Sequence, residues 1–314
     1  MTGWLEQADG DPLVTSVTGS TATTGSTGRA GRVRRAGPGE PVRVHVWPGE
    51  VARPVLLALH TRLEGGAVFG PLAAALRRRW TVVAPDAPGH GGTRWTPSGV
   101  YTLDDQVPGA LAVLDALPVV AGRRAPVVVL GHGTGAPAAA SVAAARPRVV
   151  QHLVLEDPAG TVSRSRRTPV PQRRLVRRWQ ALPLADRVAA ARAAHPDWPV
   201  DELVAWATAV GEVDPTALRV PTAWGVGLAL RLAPVRAPVL LVLGDRARGA
   251  AVSAAGATRA AAACRGGCRV LAVDAGPDPR RQAREPYVGE LAALLERYDE
   301  PVRKRSARSQ PVRV

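Results

Sequence analysis

Residues 127–135 read Val-Val-Val-Leu-Gly-His-Gly-Thr-Gly, an apolar strand-like run entering a turn in which every second residue is glycine. His132 brings an imidazole to that turn and Thr134 a hydroxyl. Acyl transfer needs a nucleophile together with a base that titrates near neutral pH and takes the nucleophile's proton. The chain has six histidines, His45, His60, His90, His132, His152 and His195, and none follows His195. Arginine, the dominant cation, cannot serve as the base because it stays protonated. Three carboxylates follow apolar runs, Glu156 and Asp157 after 152–155 and Asp245 after 238–243, and on their own they read as strand-end turn residues. No Asp–His pairing stands at metal-ligand spacing, so neither a metal nor another cofactor is expected.

The elements that must position these groups alternate. Val42, Val44 and Val46 mark an edge-like strand, and 54–59 is apolar throughout, as in a strand covered on both faces. A helix over 70–79 starts with Pro71, where a missing N–H is harmless. Strand 81–84 follows, then a helix over 101–117 with Thr102 and Asp105 spaced as a capping box. Strand 127–130, an alanine-rich helix over 137–145, strands at 152–156, 238–243 and 269–273, and a last helix over 287–298 complete the series. This rhythm predicts an α/β fold with a mostly parallel sheet covered on both sides. From 160 to 233 the pattern is helical, with Trp179, Trp198, Trp206 and Trp224 expected to form the core of a cap over the carboxyl ends of the strands.

Charge is unevenly spread. The formal net charge is +15, almost all of the basic side is arginine, and Lys304 is the only lysine. Arg164, Arg166, Arg167, Arg173, Arg174, Arg177 and Arg178 crowd one stretch, and a second basic group closes the chain. Neither carries the aromatic interleaving or recognition-helix pattern of a nucleic-acid binder. They read as solvated surface, with an acidic protein or nucleic acid as the alternative partner. Residues 1–38, rich in Thr, Gly and Ser, are expected to be a disordered leader, and 300–314 a basic tail. No apolar run is long enough to span a membrane, and Met1–Ser20 lacks a secretory order, so a cytoplasmic protein is expected. Cys264 and Cys268 are expected as free thiols, with a local bridge across their turn as the alternative.

The chain resembles the α/β-hydrolase family, specifically its small capped members, over residues 40–298. Four motifs carry the resemblance: Ala84-Pro85-Asp86-Ala87-Pro88-Gly89-His90-Gly91-Gly92-Thr93, Leu59-His60, the Gly-His-x-x-Gly frame from Gly131, and Gly244-Asp245-Arg246. It implies a core of 39–159 and 234–299 with a helical cap at 160–233. It places the nucleophile at Gly133, the acid at Ala247 and the histidine at Pro277. All three positions therefore lack the reacting group. Arg62 and Thr134 fall where backbone N–H groups would face an oxyanion, although Thr61 stands where glycine is usual. His60, Thr61 and His132 fall at the pocket floor, with His132 expected to be structural.

Three functions follow. The first is a hydrolase-like fold that is catalytically degenerate and holds a small apolar ligand or a protein under its cap, in a cleft larger and less polar than an active enzyme's. The second is a non-triad hydrolase or lyase-like enzyme built on cap groups such as His195 or Asp197, or on Thr134, Asp245, Glu156 or His90. The third is a basic interaction protein. Hydrolase activity would rest on fold analogy, and a fold does not fix a function.

Overall fold

In a computed structural model the chain is described over residues 13–17, 41–50, 54–76, 79–95, 101–117, 126–159, 172–218, 222–223 and 227–297. Ten strands are present among them: β1 (Leu13–Val17), β2 (Val42–Trp47), β3 (Val55–Leu59), β4 (Thr81–Pro85), β5 (Tyr101–Thr102), β6 (Val127–His132), β7 (Val150–Glu156), β8 (Thr222–Ala223), β9 (Val239–Leu243) and β10 (Cys268–Ala272). Eight form one sheet in the order β1-β2-β4-β3-β6-β7-β9-β10. From β4 to β10 neighbours are parallel, whereas β2 runs antiparallel to β4 and β1 antiparallel to β2.

Two expectations change here. β2 is not an edge strand, because Leu13–Val17 pairs outside it. That pairing also puts a strand inside the segment expected to be a disordered leader. Averaging the composition of 1–38 hid a short run, Leu-Val-Thr-Ser-Val, with strand-forming residues. The rest of that leader, the tail at 300–314 and Arg164, Arg166 and Arg167 lie outside the described residues.

The fully apolar strands divide their side chains between two layers, as the period of two requires. Val55, Leu57 and Leu59 of β3 join one core cluster with Val127, Val129, Leu241 and Leu243. Leu56 and Ala58 join the other with Val128, Leu130, Leu240 and Val242. The first face is covered by helices α2 (Gln106–Ala116), α3 (Gly135–Ala145), α7 (Leu228–Leu232) and α8 (Ala254–Ala263). The second is covered by α1 (Gly70–Ala75) and α9 (Arg284–Glu296). Alanines at 136, 138, 139, 140 and 143 let α3 lie close on the sheet, all fully buried. The Thr102–Asp105 capping box forms, with the Thr102 N–H donating to Asp105 Oδ2 at 2.8 Å.

Between β7 and β9 the chain leaves the sheet for the cap, which holds α4 (Gln172–Gln180), α5 (Leu184–Ala194) and α6 (Val200–Gly211). Trp206 meets Trp179 edge-on at 5.1 Å and Trp198 at 6.3 Å, so three of the four tryptophans form the cap's interior. Trp224 lies outside the described residues. Leu228 and Leu232 sit in the core cluster, so the core resumes at α7, ahead of residue 234.

The loop after β4 turns on Asp86. Its carboxylate accepts the Gly66 N–H at 2.6 Å and the Gly92 N–H at 2.9 Å, and His45 Nε2 lies 3.1 Å away. Gly91, at φ +52°, must be glycine because a Cβ there would lie 2.1 Å from Asp86 Oδ2. Burial works against the Asp86 charge, but the His45 contact and the Gly92 amide more than offset it and hold the carboxyl below its ordinary range. Removing Asp86 orphans two backbone donors in a buried loop. The expected cost of Asp86→Ala is about 2–4 kcal/mol in urea unfolding, with Asp86→Asn recovering part of it.

Candidate functional site

Gly133 sits at the apex of the turn between β6 and α3 with φ +52°. Its N–H donates to Glu156 O at 2.9 Å and its carbonyl accepts the Ala159 N–H at 2.8 Å, which fixes the apex to the end of β7. A Cβ at Gly133 would lie 2.4 Å from Thr61 Oγ1 and 2.9 Å from Thr61 Cβ. The Thr61 side chain thus stands where a side chain at 133 would begin. The two threonines then bond reciprocally. Thr134 N–H donates to Thr61 Oγ1 at 3.1 Å, Arg62 N–H donates to Thr134 Oγ1 at 2.6 Å, and the hydroxyls are 3.2 Å apart. The two backbone donors that the resemblance aims at an oxyanion are both occupied by the protein's own hydroxyls.

The loop histidines are structural. His60 Nε2 accepts the Ala87 N–H at 2.9 Å, so its Nδ1 carries the proton and donates to Thr61 O at 2.8 Å. Burial keeps this ring neutral by lowering its pKa. His90 Nδ1 lies 3.0 Å from Pro88 O, and burial first, then His60, pushes its pKa down to about 3. Asp245 is exposed and spends its carboxylate on the Ala247 N–H of its own turn at 2.8 Å. Ala247 is exposed beside it. Asp157, at φ +35°, accepts the Ala251 N–H at 2.8 Å. In the cap, His195 stacks on Trp198 at 4.0 Å, and Asp197 accepts from Gln282 at 2.7 Å.

Sequence reasoning missed the largest polar feature. Beneath the cap, Arg280 and Arg281 are almost wholly buried. Arg281 Nη1 donates to Glu64 Oε1 at 2.7 Å and Asp278 Oδ1 at 2.6 Å, and its Nε donates to Glu202 Oε2 at 3.3 Å. Arg280 Nη1 donates to Glu202 Oε2 at 3.3 Å and to Val68 O at 2.9 Å, while its backbone N–H donates to Glu156 Oε1 at 2.8 Å. Tyr287 donates to Glu156 Oε2 at 3.4 Å. The guanidiniums also stack, Arg280 over Phe69 at 4.9 Å and Arg281 over Trp198 at 4.4 Å. Glu64 follows β3, Glu156 ends β7, Glu202 and Trp198 belong to the cap, and Asp278 to Arg281 follow β10. Groups this far apart in sequence leave no spacing signal. The one hint was a charged Asp-Pro-Arg-Arg run where the resemblance places a histidine.

His132 joins this cluster and does not stand apart from it. Its Nδ1 lies 3.7 Å from Glu64 Oε2, and its Nε2 lies 3.6 Å from Asp278 Oδ1 and 3.4 Å from Pro277 O. Burial opposes its charge, but Glu156, Glu64 and Asp278 together outweigh that and raise its pKa to about 9. Glu64 is held well below the carboxylate range by Arg281 and His132, against the cost of burial. Glu64, His132 and Asp278 offer ligand atoms within 4.8 Å of one another. Metal coordination needs a deprotonated imidazole, and here both carboxylates already hold the Arg281 guanidinium. The cation position of this triangle is filled by arginine. At the elbow itself, His132 and Glu156 belong to this ionic cluster, so the groups there are more polar than the expected lining.

The anionic-partner patch is visible only in part. Arg174, Arg177 and Arg178 of α4 are exposed, Arg173 is half-buried, and Val176 turns inward onto Val210 and Val213. Among the described residues no helix is long and apolar enough to cross a membrane.

Sheet order, helical layers, cap and elbow together define the α/β-hydrolase fold. The chain belongs to the serine aminopeptidase family S33, whose sequence model matches residues 50–264. It is 36% identical over 133 residues to the lipase LipV of Mycobacterium tuberculosis and 32% identical over 120 residues to a serine hydrolase-like protein of Danio rerio. These matches take in 42% and 38% of this chain, and only 43% and 35% of the relatives' own lengths. Among solved structures, an α/β hydrolase from Novosphingobium aromaticivorans superposes with a TM-score of 0.66 at 18% identity, over 92% of this chain and 100% of that one. The thioesterase domain from the curacin biosynthetic pathway superposes at 0.62 and 20% identity, over 83% and 97%. Both likenesses concern the fold.

Two outcomes test the buried cluster. Glu202→Ala leaves two buried guanidiniums without their shared carboxylate, and the expected loss is about 3–5 kcal/mol in denaturant unfolding. His132 has its pKa raised on folding, so its contribution is complete below its ordinary value of 6.5 and is lost as pH rises through about 9. Tm is therefore expected to fall between pH 7 and pH 10, and His132→Gln is expected to flatten that fall.

Proposed function

We propose that this chain is a catalytically silent member of its family, retained for binding. The observation that carries the reading is the elbow. The position aligned with the nucleophile is Gly133, Thr61 fills the space a side chain there would need, and the Arg62 and Thr134 N–H groups are engaged by hydroxyls. A transition-state oxyanion would have to break both hydrogen bonds before receiving either, which removes the preorganisation on which this stabilisation depends. The acid and histidine positions, assigned by resemblance to Ala247 and Pro277, supply no group to replace it.

The alternative enzyme built on Glu156, Asp245 or His90 has little support. Glu156 is buried and serves Arg280 and Tyr287, Asp245 serves its own turn, and His90 is neutral at any physiological pH. Thr134 is an acceptor for Arg62, and no base stands beside it. The relatives' names, a lipase and a serine hydrolase-like protein, set ester and amide hydrolysis as the activities to test.

The binding partner follows from where charge is available. His132 and Glu156 beside the elbow belong to an ionic cluster, which weighs against an apolar small molecule seated there. The exposed Arg174, Arg177 and Arg178 face of the cap favours an acidic protein surface, whose capture would weaken steeply with salt.

Purified protein is expected to turn over neither short p-nitrophenyl esters nor amino-acid p-nitroanilides above a heat-denatured control, and to resist labelling by a fluorophosphonate. Turnover that tracks folded protein and disappears in Thr134→Val would overturn the reading. With Thr134 in its structural role, Thr134→Val instead costs about 1–2 kcal/mol of stability, since the Arg62 N–H loses its acceptor, and leaves hydrolysis at background.

A further inference from the structure

The two cysteines lie at the end of the sheet opposite the elbow. Helix α8 ends at Cys264, Arg265 and Gly266 turn the chain, and Cys268 opens β10, the last strand in the sheet order. The turn is built for a tight return. Gly267 N–H donates to Cys264 O at 3.4 Å, Gly267 takes φ +87°, and a Cβ on Gly266 would lie 2.3 Å from Arg236 O. Both side chains are directed to the same side of the sheet, where they pack against the cluster that contains Ala257 and Ala260. Both thiols are free and half-buried.

We infer that Cys264 and Cys268 form a redox-modifiable dithiol, oxidised within the chain by hydroperoxides to a disulfide across this turn. Two features suit it. Bridging requires the two side chains on one side of the backbone, and these cysteines flank a three-residue glycine turn and pack against one cluster. The site is also chemically asymmetric. The Cys264 S–H donates to Ala260 O at 3.2 Å, whereas the Cys268 S–H reaches only Arg269 O, at 3.9 Å, and the neighbouring Cys264 thiol lowers the pKa of Cys268. Cys268 is therefore the attacking sulfur and Cys264 the resolving one.

With hydrogen peroxide the steps balance. The Cys268 sulfur attacks one peroxide oxygen, the O–O bond breaks, and Cys268 becomes a sulfenic acid as one water leaves with the thiol proton. The Cys264 sulfur then attacks Cys268 Sγ, the S–O bond breaks, and a second water carries off the hydroxyl and the Cys264 proton. The sulfurs lose two electrons in all and the peroxide gains them. The product ties the C-terminus of α8 to the first residue of β10, the strand whose far end leads into the Asp278–Arg281 segment.

The sequence provides its own readout. Trypsin cuts after Arg259, Arg265 and Arg269, so peptides 260–265 and 266–269 separate unless the sulfurs are joined. Full-length protein would be treated with hydrogen peroxide, alkylated, denatured and digested without reductant. The expected result in monomeric protein is a linked 260–265/266–269 pair, lighter by two hydrogens than the sum of the free peptides and released by dithiothreitol. In Cys264→Ser the expected product is a dimedone-trapped sulfenic acid at Cys268, and in Cys268→Ser an unmodified Cys264. The proposal is overturned if the wild-type peptides emerge separately alkylated, if only cross-chain dimers form, or if both sulfurs go to sulfinic acid without linking. A sulfenic acid at Cys264 in Cys268→Ser would overturn the assigned order of attack.

Discussion

The arrangement under the cap is governed by the need to neutralise two buried guanidiniums. An arginine out of water is tolerated only where carboxylates and carbonyls meet it on several sides. Arg280 and Arg281 meet this demand by drawing together Glu64 from the loop after β3, Glu156 from the end of β7, Glu202 from the cap, and the neighbouring Asp278. The protonated His132 brings a further positive charge to the same cluster. No member can leave without stranding another. The cap is thereby held to the core through its own helix α6, and an outer ring reinforces the hold, with Arg284 on Asp201 at 2.6 Å and Gln282 on Asp197 at 2.7 Å.

This network bears on chemistry because of where it sits. The segment after β10 carries Asp278, Arg280 and Arg281, where the resemblance places a catalytic histidine at Pro277. In this segment Arg280 and Arg281 are instead buried and committed to ion pairs. The elbow shows the same exchange at smaller scale. Gly133 and Thr61 fit only together, since a side chain on the first would collide with the second. A side chain at 133 would therefore require Thr61 to move. The N–H groups that the resemblance aims at an oxyanion here bond the two threonine hydroxyls.

The fold was largely legible in the sequence, because apolar runs covered on both faces and an alternating helix–strand rhythm are local signals. Thr102 and Asp105 announced their cap, and the glycines around His90 announced a loop whose hub is Asp86. The elbow was readable as a pattern and only half readable as a site. Gly133 was conspicuous, but its coupling to Thr61 joins residues 72 positions apart in the chain, and only their contact discloses it. The ionic cluster was invisible for the same reason in stronger form. Glu64, Glu202, Arg280 and Arg281 each look like surface charges, since their burial depends on partners brought in by the tertiary fold. The outermost strand was missed for a different reason, a short Leu-Val-Thr-Ser-Val run diluted by its polar surroundings.

The Arg62 and Thr134 N–H groups of the elbow are satisfied from within the protein, by the two threonine hydroxyls. Amide hydrogen exchange at Arg62 and Thr134, resolved by residue and compared with helix α6, tests this most directly. An N–H held in a hydrogen bond exchanges only when that bond opens. The account predicts that both amides exchange slowly, and that Glu202→Ala accelerates them together with α6. Exchange of Arg62 and Thr134 at the rate of an unprotected loop, with α6 still protected, would contradict it and return those donors to the service of a ligand.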